Sequence, residues 1–546
     1  MSRTNSLFNV PVTAVALPVI SALITVFYGI SMHSTTRPPA PAGTLRYLFA
    51  VLLAASAALA GTRAQAFDFP DVAQRAKVLS QSAYKKPSSN LPKAIDNLSY
   101  DQYRDIRFNP DKSLWRSAKL PFEVAFFHQG LFYDHPVKIN EIINKRVREI
   151  KFDPQSFNYG KNTIDPKQLE QLGYAGFRVH TALNSKKYKD EVVVFLGASY
   201  FRALGKGQGY GASARGLAID TAQNSGEEFP QFSEFWLERP EGNDKDLTIY
   251  ALLDSRRATG AYRFVVKPGS DTVVDVKAQL FLRENVTTLG IAPLTSMYFF
   301  GENQRSTVED YRPEVHDSDG LSVQTGADEW IWRPLVNPKR LLVTSYSLDS
   351  PKGFGMMQRE RNFSSFQDLE ARYEKRPSVW IEPTGKWGKG RIELVQLPTA
   401  DETNDNAVAF WVPELMPKPG QPYNVEYKMR WEKESETQPP HAWVAQTRRG
   451  HGYTKKVDDS LAMIVDFEGP ALKKLPADAK LEGAVTIDAN GKLMETNTYR
   501  NDVTGGWRIA VRLDRNDDAK PVELTAHLRN GKEVLSETWS YILPPN

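Results

Sequence analysis

The chain has 546 residues, 41% hydrophobic and 25% charged, an ordinary balance for a folded protein that excludes disorder, and its length calls for more than one core. Arg3, Arg37, Arg46 and Arg63, in a 66-residue opening segment without Asp or Glu, account for the whole formal charge of +4; the remainder is neutral and has no basic stripe, which excludes a nucleic-acid binder. With no cysteine, disulfides and thiolate metal sites are excluded, so stability has to come from buried apolar area.

The opening segment reads as an export leader. Arg46 precedes the apolar run YLFAVLLAASAALAG, and Ala64-Gln65-Ala66 supplies small residues where a signal peptidase reads them, so cleavage is expected before Phe67. Upstream, VPVTAVALPVISALITVFYGI at 10–30 is long enough to span a bilayer. It contains Pro11 and Pro18 and has nearly uncharged flanks. Residues 1–31 are therefore either an anchor or a start assigned too far upstream, and we favour the second, because Met32 would open a leader of normal length. The absence of an Arg-Arg pair favours the general secretory route.

After the leader, FPDVAQRAKVLSQSAYKK places apolar residues at helical spacing. From about residue 120 the pattern becomes alternation: FEVAFFHQGLFYD, EVVVFLGASYFRAL, LTIYALLD, YRFVVKPG and TVVDVKAQLFLR, punctuated by turn residues such as KPGSD. A meander of amphipathic strands predicts a large antiparallel β-sandwich. Helix-compatible stretches such as SSFQDLEARYEKR at 364–376 are few. GKGQGYG at 205–211 lacks the Lys-Ser/Thr and the βαβ setting of a phosphate loop and reads as a flexible turn. The eight His residues show no metal-ligand spacing, so no metal or other cofactor is expected. Ser199 and Ser213 lack the nucleophile-elbow setting.

Trp330 and Trp332 in EWIWRP alternate and so share one strand face. Core burial is the plain reading of any one Trp; flat rings interleaved with Arg, Asp and Asn also suit a sugar groove. Two acidic segments adjoin Trp-bearing strands. One is VHDSDGLSVQ at 315–324, with Asp317 beside His316; the other is LPTADETNDNAVAFWVPE at 397–414, with Asp401, Glu402 and Asp405. Glycoside hydrolysis needs one carboxylic acid to protonate the leaving oxygen and usually a second carboxylate to activate water. The competing reading is that these are solvated turn acids with no chemistry.

A composition shift at EKESETQPPHAW, 432–443, reads as a linker. Beyond it, AMIVDFEG, KLEGAVTIDANGKL, GWRIAVRLD, VELTAHLRNGKEVLS and TWSYIL have the rhythm of an immunoglobulin-like sandwich. Ala489-Asn490-Gly491 and Arg529-Asn530-Gly531 are hairpin signals.

The strings FHQGLFYDHPVKINEI, LGASYFRALGKGQGYGASARGLAID, SGEEFPQFSEFWLERP, LTIYALLDSRRATGAYRFVVKPGSDTVVDV, LGIAPLTSMYFFGEN, EWIWRPL and DETNDNAVAFW closely resemble the periplasmic glucans biosynthesis protein G family, from about Phe67 to ETWSYILP. The sister family, protein D, typically carries a twin-arginine leader, so the leader here favours G. The resemblance implies a periplasmic protein of osmoregulated glucan synthesis. It also implies a galactose-mutarotase-like β-sandwich over 67–431, the linker at 432–443 and an immunoglobulin-like sandwich over 444–546. Some members are inverting β-1,2-glucanases. Their general acid matches Asp405, and their base, working through water and protein hydroxyls, matches Asp317; Glu402 is a neighbouring acid in the same cleft. The acid role requires a raised pKa for Asp405, from burial against Trp411 or repulsion from Glu402, and an ionised Asp317, favoured by His316 or an arginine. His128, Tyr133, Tyr200, Arg202, Trp330 and Trp332 are candidates for lining the groove or for the core behind it. The expected partners are a β-1,2-glucan and the inner-membrane glucan synthase. The alternatives are a non-catalytic scaffold that receives nascent glucan from that synthase, and a branching or transfer activity on the same polymer.

Overall fold

The computed structural model describes residues 67–545 apart from 88, 90, 434, 453–457 and 477. The expectations for the leader at 1–66 lie outside the described residues. Among these, Phe69–Ser80 is the one helix longer than five residues. Asp71 accepts the Asp68 N–H at 2.8 Å, and Pro70 occupies the first turn, where no N–H partner is needed. The helical spacing of Phe69, Val72, Ala73 and Ala76 buries one stripe against Trp236, Tyr250, Leu252 and Phe281 on the outer face of a sheet.

Strands make up most of the rest, in layered and largely antiparallel sheets. One sheet has ten strands, running from Phe122–His128 through Tyr174–Thr181, Asp190–Leu196, Tyr200–Ala203, Ser213–Arg215, Leu289–Ser296, Ala407–Pro413 and Lys389–Gln396 to Leu342–Asp349, with Leu217–Ile219 paired beside Leu289–Ser296. The facing sheet has fifteen. Alternation explains the layering: along Thr272–Leu282, Val274, Val276, Ala278 and Leu280 are buried while Val273, Asp275, Lys277 and Gln279 are half-buried on the other side. The layers meet through rings. Phe195 of the ten-stranded sheet lies 5.2 Å from Phe264 of the fifteen-stranded one, and Phe201 lies 5.1 Å from the same ring.

From Trp443 onward, four strands form their own sheet in the order Trp443–Gly450, Leu461–Glu468, Gly506–Arg515, Gly491–Asn501. Opposite them, Glu482–Ile487, Val522–Asn530 and Thr538–Leu543 continue the fifteen-stranded sheet, because Thr538–Leu543 pairs in parallel with Trp330–Pro334. The smaller sandwich is thus welded to the larger one by backbone hydrogen bonds.

Two local expectations need correction. Ala489-Asn490-Gly491 makes no hairpin: the strands on its two sides pair with different partners, so the turn crosses between layers. Arg529-Asn530-Gly531 does make one, with Asn530 opposite Glu533. The stretch 364–376 is helical only at Phe363–Phe366 and Tyr373–Lys375. Gln367 and Arg372 adopt left-handed backbone, and the Asp368 carboxylate takes the N–H groups of Glu370 and Ala371 at 2.9 and 2.7 Å that a helix would have needed.

Candidate functional site

Both acidic segments are tied to the end of one buried strand, Leu289–Ser296. On one side Asp317 donates its N–H to the Met297 carbonyl at 2.8 Å, and the Ser296 and Ser318 hydroxyls are 2.8 Å apart. On the other, Asn406 donates its N–H to the Ser296 carbonyl at 3.0 Å. The buried Asn406 amide accepts the Tyr298 N–H at 2.8 Å and donates to the carbonyls of Tyr298 and Leu397, each at 3.0 Å. Asp317 and Asp405 are therefore held by residues that grip the same three-residue stretch of backbone.

The turn before Asp405 separates its three acids by task. Asp401 is exposed and accepts the Thr403 hydroxyl and N–H at 2.5 and 2.9 Å, which holds its carboxyl below the usual range. It is a turn-former in water. Glu402 pairs with Arg312 at 2.6 Å, and Arg312 is shared with Asp310 at 2.8 Å and Asp368 at 3.1 Å, so its charge is balanced locally. Asp405 differs from both. Its residue is exposed like Asp401, yet protein around the carboxyl displaces enough solvent that this loss, followed by the nearby charge of Asp317, pushes its pKa up to about 6 against the pull of Arg215, Arg202 and Arg376. Burial leads, as expected, but the repelling neighbour is Asp317 and not Glu402, and Trp411 is fully buried in the core beside Trp387.

Asp317 is 5% exposed and its carboxylate is paired with Arg376. Burial raises its pKa and outweighs the opposing pull of Arg376 and then of His316, so the group stands above the usual carboxylate range, against the expectation that these neighbours would hold it at or below that range. His316 lies between Glu314 and Gln358, at 2.9 Å from each; burial disfavours its charge, but the bond to Glu314, the charges of Glu314 and Asp319 and the bond to Gln358 together outweigh this and its pKa is raised. Arg376 lies over the buried Tyr373 ring, 4.1 Å from its centroid, which fixes the guanidinium beside Asp317.

The charged and aromatic neighbours of Asp405 come from the ten-stranded sheet. Gly197 and Ala198, both at positive φ, close the tight turn that leads into Tyr200–Ala203. Tyr200 and Arg202 lie on one face of that strand, and Arg215 is directly opposite Tyr200 on the next. Burial raises the Tyr200 pKa, Arg215 opposes this, and the charge of Asp405 adds to it. The charge of Arg202 reaches Asp405, Asp317 and Tyr133. The structure thus gathers Asp405, Asp317, Tyr200, Arg202 and Tyr133, with Glu402 in the adjoining turn.

His128, Trp330 and Trp332 are not gathered there. His128 is 3% exposed, sits among Phe152, Phe157 and Tyr159, and has its pKa pushed down to about 4 by burial. Trp330 stacks on Trp380 at 5.5 Å, Arg359 covers Trp332 at 3.6 Å, and both indoles join the apolar cluster of the C-terminal strands. Sequence reasoning missed Arg215, Arg376, Arg312 and Asn406. Asn406 alone carried a signal, as the amide that ends the acidic turn before a fully apolar strand. Among the described residues no group of three or more His, Cys, Asp or Glu could hold a metal ion.

The family model described as periplasmic glucan biosynthesis protein, MdoG, matches residues 67–543. The chain is 63% identical over 495 residues to Glucans biosynthesis protein G of Ralstonia nicotianae, covering 89% of this chain and 98% of that protein. It is 51% identical over 511 residues to the proteins of that name from Pectobacterium atrosepticum and Pectobacterium carotovorum subsp. carotovorum, covering 92% of this chain and 97% of each.

Proposed function

The chain belongs to the MdoG family of periplasmic glucan biosynthesis proteins, and from that premise we propose that it cleaves the β-1,2-linked backbone of such a glucan with inversion. Asp405 is the general acid and Asp317 the general base. The observation that carries this reading is the pair itself: two carboxyls anchored on one strand end, one raised to about 6 by poor solvation and by the charge of the other. Protonated Asp405 delivers its proton to the oxygen bridging two glucose units as that bond breaks. Ionised Asp317 takes a proton, through water and neighbouring hydroxyls, from the water that attacks the anomeric carbon. Arg376 supports the split of roles, because its charge favours the carboxylate of Asp317 more closely than that of Asp405.

The test is incubation of protein beginning at Phe67 with linear β-1,2-glucan, followed by proton NMR of the products. The reading expects new reducing ends that form first as the α-anomer. Binding without new reducing ends would leave a scaffold that receives glucan from the membrane synthase, and branched products without new ends would mark a transferase.

A further inference from the structure

We propose that Tyr210 and Phe229 are stacking platforms for two separate glucose rings of one β-1,2-linked chain, seated at the two ends of the side-chain row that faces Asp405. This rests on the glucan reading above. Both rings are large and open to solvent, 40% and 45% exposed, and each has a guanidinium against it. The Arg202 guanidinium lies 4.0 Å from the Tyr210 centroid, and that of Arg215 lies 5.2 Å from Phe229 and 5.0 Å from Tyr200. Arg215 is itself held by Glu227 at 2.6 Å, and Glu227 also takes the Thr221 hydroxyl at 2.7 Å. A guanidinium fixed under one face of a ring leaves the other face flat, apolar and ordered. Such a face is covered well by the C–H side of a pyranose, while the arginines' remaining N–H groups meet hydroxyls.

The loop that carries Tyr210 is the GKGQGYG segment. Two of its glycines meet the segment at 375–376: Gly209 donates its N–H to the Lys375 carbonyl at 2.9 Å, and a Cβ on Gly211 would lie 2.8 Å from that of Arg376. The loop is thus pressed onto the segment that supplies the partner of Asp317. Arg202 and Tyr200 are two residues apart on one strand, about 7 Å, and Arg215 is one strand across from Tyr200, about 5 Å, so the two rings rest on different arginines and each is assigned its own sugar.

The test is calorimetric binding of linear β-1,2-linked oligosaccharides, a disaccharide and a long chain, to non-cleaving Asp405→Asn protein with and without Tyr210→Ala or Phe229→Ala. Each Ala change is expected to weaken long-chain binding about five- to tenfold and Trp at the same position to restore it, with the disaccharide affected by at most one of the two changes. Unchanged long-chain affinity in both Ala variants, or failure of Trp to restore it, overturns the platforms. Because the readout is binding, wild-type protein that binds through both rings but releases no reducing ends would end the hydrolase reading and leave this one standing; absence of binding in every form would end both.

Discussion

With a pKa of about 6, Asp405 carries its proton in about one molecule in ten at pH 7, enough for an acid whose strength is matched to its task. Two consequences follow from the causes of the shift. The kcat/KM profile should fall about tenfold per pH unit above about pH 6, as the free protein loses the proton it must donate. Removing a neighbouring charge should move the group in a direction set by sign. Asp317→Asn deletes a negative neighbour and should lower the Asp405 pKa, whereas Arg202→Gln deletes a positive one and should raise it. Carboxyl NMR titration of Asp405 in each variant checks this, and an upward shift in Asp317→Asn would contradict the pairing.

At the scale of elements, the Asn406 amide adds three side-chain hydrogen bonds to the backbone bonds that place Asp405. Asn406→Ala would unpair the buried Tyr298 N–H and carbonyl, a loss on the order of 1–3 kcal/mol for each group left unsatisfied, and would free the carbonyl of the exposed Leu397 to water. Urea unfolding should register that destabilisation, and in the folded variant kcat should fall more than KM rises, because the carboxyl loses its position and the sugar contacts remain. The strands, the acidic turn and its polar sequence were legible beforehand, since alternation and turn chemistry are local. The facing of Trp330 and Trp332 was not: their spacing puts both on one side of a strand but says nothing of which sheet covers that side, and here it is the C-terminal cluster. Nor could spacing reveal Arg376 as the partner of Asp317, because the two meet only through the broken helical stretch at 364–376.

Across the whole molecule, the two sandwiches share one sheet and a seam of buried charge. Arg359 and Glu537, 6% and 0% exposed at their side chains, pair at 2.6 Å, and Glu302 accepts the Thr447 N–H across the same seam. Burial pushes Glu302 up to about 8, with the charges of Glu314 and Asp319 adding to it and that of Arg448 opposing. Because the folded pKa lies above the unfolded value, the folded state binds the extra proton between about pH 4.5 and 8, and stability falls as pH rises through that window. Glu302→Gln removes that fall: its Tm should exceed wild type at pH 8.5 and approach it at pH 4.5, as scanning calorimetry would show. The central claim remains the proton on Asp405, and the most direct measurement is release of reducing ends from linear β-1,2-glucan by wild type and Asp405→Asn at equal glucan occupancy. The account predicts release by the wild type and none by the folded variant; equal release by both would contradict it.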